Sequence, residues 1–393
     1  MKKLFLSVIA LYIGVLSSYS QATGKQDSAY KLRRLSFEEA NIVSSYYSQD
    51  GTHAAVTGGS GSEKLSDIAT TFDVKFSKLD RFGRKYSLTG ELGIDHYTSA
   101  SSDKIDPVTI SSASHADTRV YPSLNWSMEN NAKGKVIGIG ASFSNEFDYN
   151  SLGFNINLSK KTRDRNGELT VKAQVYLDKL RLIYPIELRT DHDPSSANRN
   201  TFSASLGWSQ IINTRLQLML EGEIVAQEGY LGLPFHRVYF NDGSVHVENL
   251  PSKRMKIPLG LRANYFMGDN LIFRTWYRRY FDDWGITSNA AMLELVYKVT
   301  PFFSITPYYR FYQQSASDHF APYGEHTGSD QFYTSNFSYA KFLSHFYGAG
   351  FRIAPPEGVF HIQHFNSLEL RYGHYQKTTD LNANIITLSA GFK

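Results

Sequence analysis

The feature that most constrains this chain is a period of two. From Ile68 onward it breaks into segments of roughly 9–13 residues with apolar side chains at alternate positions, the length and period of tilted strands that cross a bilayer. Ile68, Thr70, Phe72, Val74 and Phe76 share one face; Asp73 and Lys75 share the other. Tyr86, Leu88, Leu92 and Ile94 oppose Glu91 and Asp95. Leu216, Leu218, Leu220 and Ile224 oppose Arg215, Gln217, Glu221 and Glu223, and Ile257, Leu259, Leu261, Ala263 and Tyr265 oppose Lys256, Arg262 and Asn264. Side chains on a strand alternate between two faces, so each segment has one greasy side and one wet side.

Soluble sandwiches alternate too, so the connections decide. With a first strand near 41–48, the connections after odd-numbered strands include 49–67, 100–116, 181–200, 228–254 and 315–342. Those after even-numbered strands are 80–85, 129–134, 162–167, 212–214, 267–270 and 300–301, with 354–365 as the longest exception. Short odd-numbered links at 148–150, 282–287 and 378–381 do not disturb the sorting. An outer-membrane barrel has long outer loops and short periplasmic turns, whereas a sandwich has no reason to sort by parity. The expectation is an all-β, closed antiparallel transmembrane barrel of about 16 strands, or 14 as the next even number, with both termini in the periplasm. Closure matters because lipid offers the backbone no hydrogen bonds.

The N-terminus reads as an export signal. Lys2 and Lys3 precede an apolar run over 4–16, and Ser18 and Ser20 supply small residues, so residues 1–20 are expected to be a signal peptide cleaved after Ser20. Residues 21–40 then form a periplasmic lead-in and 41–393 the barrel. Beyond Gln21 no apolar stretch reaches the length of a spanning helix. The last segment sets Ile386, Leu388, Ala390 and Phe392 on one face. A near-final aromatic resembles the signal read by the barrel assembly machinery, although Lys393 follows it. Phe76, Tyr86, Tyr149, Phe202, Tyr265, Tyr297, Phe302, Phe303 and Phe392 are candidates for interfacial girdles.

Composition removes other classes. With 26 Tyr, 26 Phe and 4 Trp the chain is no disordered segment, and without cysteine it is no disulfide scaffold, thiol enzyme or lipoprotein. A net charge of +4 without a basic block gives nucleic acid no footprint. The run from Gly58 to Ser62 lacks the Lys-Ser/Thr ending of a phosphate loop, so Gly58, Gly59, Gly61 and Glu63 are expected in a flexible loop or one folded into the lumen. His361 with His364, Asp191-His192-Asp193 and Glu325-His326 offer metal-capable groups without three or four converging ligands, and read as solvated loop histidines. No nucleophile elbow or zincin motif appears, so neither enzyme activity nor a metal or cofactor is expected.

The wet face carries the functional expectation. Arg274 and Arg278 flank Trp276 on one strand, Lys256 and Arg262 precede them, and Arg310 follows two strands later. Asp73, Glu91, Asp95, Glu221 and Glu223 point the same way from earlier strands. Ionisable groups at membrane depth cost several kcal/mol unless they meet water or partners, so the pattern points to a hydrated lumen with facing acidic and basic walls. The alternative is that these charges pair and fill the barrel. Arg279 falls on the lipid side, where it snorkels at the outer end or marks a bulge.

Three blocks carry a family resemblance: Asp50-Gly-Thr-His-Ala-Ala-Val-Thr-Gly-Gly-Ser-Gly-Ser-Glu63; Gly229-Tyr-Leu-Gly-Leu-Pro-Phe-His-Arg-Val238 with Glu248-Asn-Leu-Pro251; and Phe351-Arg-Ile-Ala-Pro-Pro-Glu-Gly-Val359 with Leu368-Glu-Leu-Arg-Tyr-Gly-His374. Together they resemble an uncharacterised family of bacterial outer-membrane β-barrel proteins common in Bacteroidota, known as a domain of unknown function. The resemblance implies a barrel in the outer membrane of a Gram-negative bacterium and supplies no site residues. The expected function is a porin-like channel or transporter for small polar or ionic solutes, gated by the long outer loops. The rivals are a plugged barrel acting as scaffold or docking partner in an envelope complex and, less favoured, an outer-membrane hydrolase. Expected contacts are outer-membrane lipid and lipopolysaccharide, with the assembly machinery during biogenesis.

Overall fold

The computed structural model describes residues 34–98 and 116–393. The expected signal peptide, most of the lead-in and most of the connection at 100–116 lie outside the described residues. Sixteen long strands form a closed antiparallel barrel. They are β1 (Ser36–Asp50), β2 (Leu65–Leu79), β3 (Arg84–Tyr97), β4 (Asp117–Asn130), β5 (Lys135–Asn145), β6 (Tyr149–Lys161), β7 (Gly167–Arg181), β8 (Ser196–Ile211), β9 (Leu216–Gly229), β12 (Lys253–Met267), β13 (Leu271–Asp282), β14 (Thr287–Thr300), β15 (Phe303–Gln314), β16 (Phe342–Ile353), β17 (Phe365–Lys377) and β18 (Leu381–Phe392). Two short strands, β10 (Arg237–Tyr239) and β11 (Val245–Val247), make a separate hairpin in the connection between β9 and β12. The barrel strands pair in chain order, and β18 closes on β1 over the register Ala40↔Phe392 to Asp50↔Asn382.

The alternation sets which side chains meet lipid. Directly paired residues lie on the same face of an antiparallel sheet. Ile386, Tyr46 and Ile68 form one such row, and Ile137, Leu158, Val171 and Leu206 another. Ile139, Leu206, Leu220 and Ile224 are more than half exposed, an apolar surface of the kind that lipid covers. Arg279 lies on this face near the outer end of β13; its register is unbroken, and its guanidinium donates to Asn289 Oδ1 at 3.1 Å. Phe392 is also lipid-facing and stacks on Phe365 with centroids 5.0 Å apart.

Two expectations need correction. The barrel begins at Ser36, not at 41, because a bulge between Phe37 and Glu39 interrupts the alternation there. Tyr149 is not a girdle residue: it shares the inward face with Asp178 and donates its hydroxyl to that carboxylate.

Packed apolar core gathers in the outer connections. Leu231, Leu250 and Trp284 form a buried cluster against which Tyr339 packs. The even-numbered turns close by local bonds instead: Asp80 accepts from the N–H of Phe82 at 2.8 Å and of Arg84 at 2.9 Å, fixing the β2–β3 turn.

Candidate functional site

The register places Asp73, Glu91, Asp95, Glu221, Glu223, Lys256, Arg262, Arg274, Trp276, Arg278 and Arg310 on the face opposite the apolar belt. Arg262, Trp276, Met292 and Arg310 lie on one continuous row across β12 to β15. Counted round the ring of sixteen, β12 and β13 stand eight positions from β2 and β3. The acidic wall of Asp73, Glu91 and Asp95 therefore faces the basic wall of Lys256, Arg262, Arg274 and Arg278 across the lumen. Glu221 and Glu223 do not belong to that acidic wall; β9 is the direct neighbour of β12, so they flank the basic one. Between the walls, β4 to β8 turn polar groups inward, small ones among them such as Ser123, Ser142, Ser203 and Ser205.

The two walls differ in how their charges are met. Asp73 accepts from Asn41 Nδ2 at 3.0 Å and Asp95 from the Tyr121 hydroxyl at 2.8 Å. Arg310 lies over the Phe346 ring at 5.0 Å. Arg262 reaches Glu221 only at 4.0 Å while largely exposed, a pair worth under about 1 kcal/mol. Arg274 and Arg278 are exposed to the lumen and make no hydrogen bond or ion pair with the described residues; nor do Glu91, Glu223 and Lys256.

Several lumen residues were missed by the sequence reading. Arg371 on β17 donates to Glu294 Oε1 on β14 at 2.7 Å, a bond between strands three positions apart that must cross the lumen, and its guanidinium lies over Tyr308 at 4.7 Å. Tyr308 can reach this far because Gly348 and Gly373 beneath it carry no side chain: a Cβ on either would sit 2.6 Å from its hydroxyl. Near the outer end, Arg254 is ion-paired with Asp282, and its guanidinium lies over Trp284 at 4.3 Å. Alternation would have marked Arg371; the Glu294 pairing has no sequence signal.

The outer connections fold over the mouth as a cap. Gly58 and Gly59 are buried at φ 74° and 81°, and a Cβ on either would strike the Tyr239 ring or the Ser335 carbonyl. His53 stacks on Phe337 at 3.7 Å, and Arg237 donates to the Val56 carbonyl at 3.3 Å, joining the 51–64 segment to two other connections. Gly61 and Glu63 lie in the same segment; burial pushes the Glu63 carboxyl above the usual range, with Lys377 opposing. Lys377, on the inward face of β17, donates to the Phe337 carbonyl at 2.9 Å. Inside the cap Glu248 accepts from Thr334 Oγ1 at 2.5 Å and from the Leu233 N–H at 2.6 Å. Burial raises its carboxyl to about 7 against those bonds and Arg199, while burial alone lowers His236, 4.0 Å away, to about 4.

The remaining candidates do not converge. His326 is not a solvated loop residue but 3% exposed, bridging Asp330 Oδ2 and the Thr334 carbonyl at 3.1 Å each. Among the described residues one acidic group gathers, Asp117 with Glu146 and Asp148, and Arg119 and Tyr97 already engage Glu146 at 3.4 and 2.9 Å.

A family model described as "Protein of unknown function (DUF3570)" matches residues 48–359. No curated protein matches. Among solved structures the chain is similar to a bacterial polysaccharide outer membrane secretin, with TM-score 0.45, 10% identity, and coverage of 90% of this chain and 98% of that one. It is similar to the outer membrane protein OprD from Pseudomonas aeruginosa, with TM-score 0.43, 10% identity, and coverage of 93% and 95%. For a BenF-like porin from Pseudomonas fluorescens Pf-5 the values are 0.42, 8%, 90% and 98%.

Proposed function

Because the chain belongs to the family described as protein of unknown function (DUF3570), we propose its function from the lumen itself: a porin-like outer-membrane channel for small polar or ionic solutes. One observation carries this reading. Arg274 and Arg278 stand exposed on the inner face of a closed barrel and make no hydrogen bond or ion pair with the described residues; Glu294, directly across from Arg274, is taken by Arg371. An uncompensated guanidinium in a dry interior costs several kcal/mol, so these residues need water beside them. A hydrated lumen with a basic wall facing an acidic one orients dipolar and charged solutes as they pass. The folded cap sets the entrance. This task needs no covalent chemistry and no cofactor.

In this reading residues 1–20 direct export, lipopolysaccharide and outer-membrane lipid cover the apolar belt, and the assembly machinery reads the strand ending at Phe392. Planar-bilayer recording of the folded protein tests it. Discrete conductance steps are expected, and verified insertions without current would contradict it.

The packed cap favours a second reading, a plugged barrel that docks a partner through the 230–252 connection. Its signature is a stoichiometric partner from native membranes together with no conductance.

A further inference from the structure

We propose that the outer end of the lumen holds a binding site for a small carboxylate with an apolar body, and that Arg278 is its anchor. The biological use of this site rests on the channel reading, but its existence does not.

The site is a recess of about 280 Å³ under the cap, lined among others by Arg278, Tyr280, Tyr312, Tyr339, Ile286 and Ala290. Its floor follows from the register. Arg278 on β13 pairs directly with Ala290 on β14, which pairs with Tyr312 on β15. Ala290 is too small to fill the space beside the guanidinium, so the row has a gap between a cation and an aromatic ring. Tyr339, from the connection between β15 and β16, closes the gap from above.

Polar accounting then assigns the occupant's charge. Arg254 is held by Asp282, donating through Nε at 3.0 Å, and Tyr280 donates to the same carboxylate at 2.7 Å. Tyr312 donates to Gln314 Oε1 at 2.7 Å, and the Gln314 amide donates to the carbonyls of Ser338 at 3.0 Å and Ala340 at 2.7 Å. Arg254 and Asp282 cancel. Arg278 alone in the recess has a full charge and a fork of N–H donors with no acceptor among the described residues, and a guanidinium fork matches a carboxylate in geometry. Ser288, Gln314 and Ser338 add neutral polar groups to the lining, and the remainder is ring face, Ile286 and Ala290, a surface that matches an apolar body beside the occupant's charge. The volume lies just under that of drug-sized pockets, which limits the body to about one ring or a short chain.

The position gives the site a role. Arg278 lies between the cap and the row of Arg262 and Arg310, so an anion entering from outside passes Lys256 at the outer end and then meets Arg278 before Arg262, Arg274 and Arg310.

Calorimetric titration of the folded, detergent-purified full chain tests the proposal, with benzoate, benzamide and inorganic phosphate as probes. Saturable benzoate binding is expected, with benzamide and phosphate each at least about tenfold weaker, because one lacks the charge and the other the body. Arg278→Gln should weaken benzoate at least about tenfold, and Arg278→Lys by an intermediate factor. Ala290→Phe fills the gap with Arg278 intact and should also abolish binding, so the test does not depend on one variant folding. Unchanged benzoate affinity in Arg278→Gln overturns the proposal, as does phosphate binding equal to benzoate, or no benzoate binding by the native protein. Benzoate binding in a protein that passes no current would retire the channel and keep the site. Current without benzoate binding would keep the channel and retire the site.

Discussion

The barrel wall and the cap over its mouth are built by opposite rules. Along the wall apolar residues such as Ile139 and Leu220 are exposed and charges such as Arg274 and Arg278 face inward without partners. In the cap apolar residues such as Val238 and Trp284 are buried, and a carboxyl in the interior is hydrogen-bonded and shifted toward its neutral form, as Glu248 is. One chain carries both patterns because its segments face different solvents: hydrocarbon outside and water inside for the wall, water outside and protein inside for the cap. Buried apolar area holds the cap, whereas the wall relies on closed backbone pairing that lipid forces upon it.

The contrast can be broken most visibly at the belt. Ile156→Arg puts a charge on the lipid face midway along β6 and should cost about 2–4 kcal/mol, while Asn155→Arg on the inner face should cost far less. Urea titration of the heat-modifiable folded band checks this; equal losses would mean that the two faces do not meet different solvents. Next comes Thr334→Val, which removes a donor to buried Glu248 and should cost the cap about 1–3 kcal/mol. Hydrogen exchange should quicken over 230–252 and 315–341 and stay unchanged in the strands.

A smaller effect follows from pH. Glu248 has its carboxyl raised, so the stability it contributes is full below its ordinary value near 4.5 and lost as pH rises through about 7. His236 is lowered, so its contribution is full above its ordinary value near 6.5 and lost as pH falls through about 4. Cap protection factors should be highest between these limits and fall on both sides, and a monotonic profile would contradict the assignment. The least change is expected from Arg262→Gln, whose distant pair with Glu221 contributes under about 1 kcal/mol, so urea midpoints should barely move.

The wall was legible in the sequence because a strand writes its environment every second residue. Strand number, the sorting of connections and the inward parity of Arg274 or Asp73 follow from that rule. The rule gives out where it is interrupted: the bulge beside Phe37 hides the beginning of β1, which starts at Ser36 and not at 41. Parity also says nothing about partners across the lumen, so the bond between Arg371 and Glu294 was invisible. The cap left still less trace, since its contacts join segments far apart in the chain, such as His53 with Phe337. Its glycines were visible, but the Tyr239 ring and the Ser335 carbonyl that exclude a Cβ at Gly58 and Gly59 were not.

The central claim is that water fills a lumen on whose basic wall Arg274 and Arg278 form no ion pair with the described residues. Single-channel reversal potentials in a salt gradient, for the native chain and for Arg274→Gln with Arg278→Gln, test it most directly. Discrete currents are predicted, with the double variant shifted toward cation preference; a silent native protein, or a variant with an unmoved reversal potential, would contradict the account.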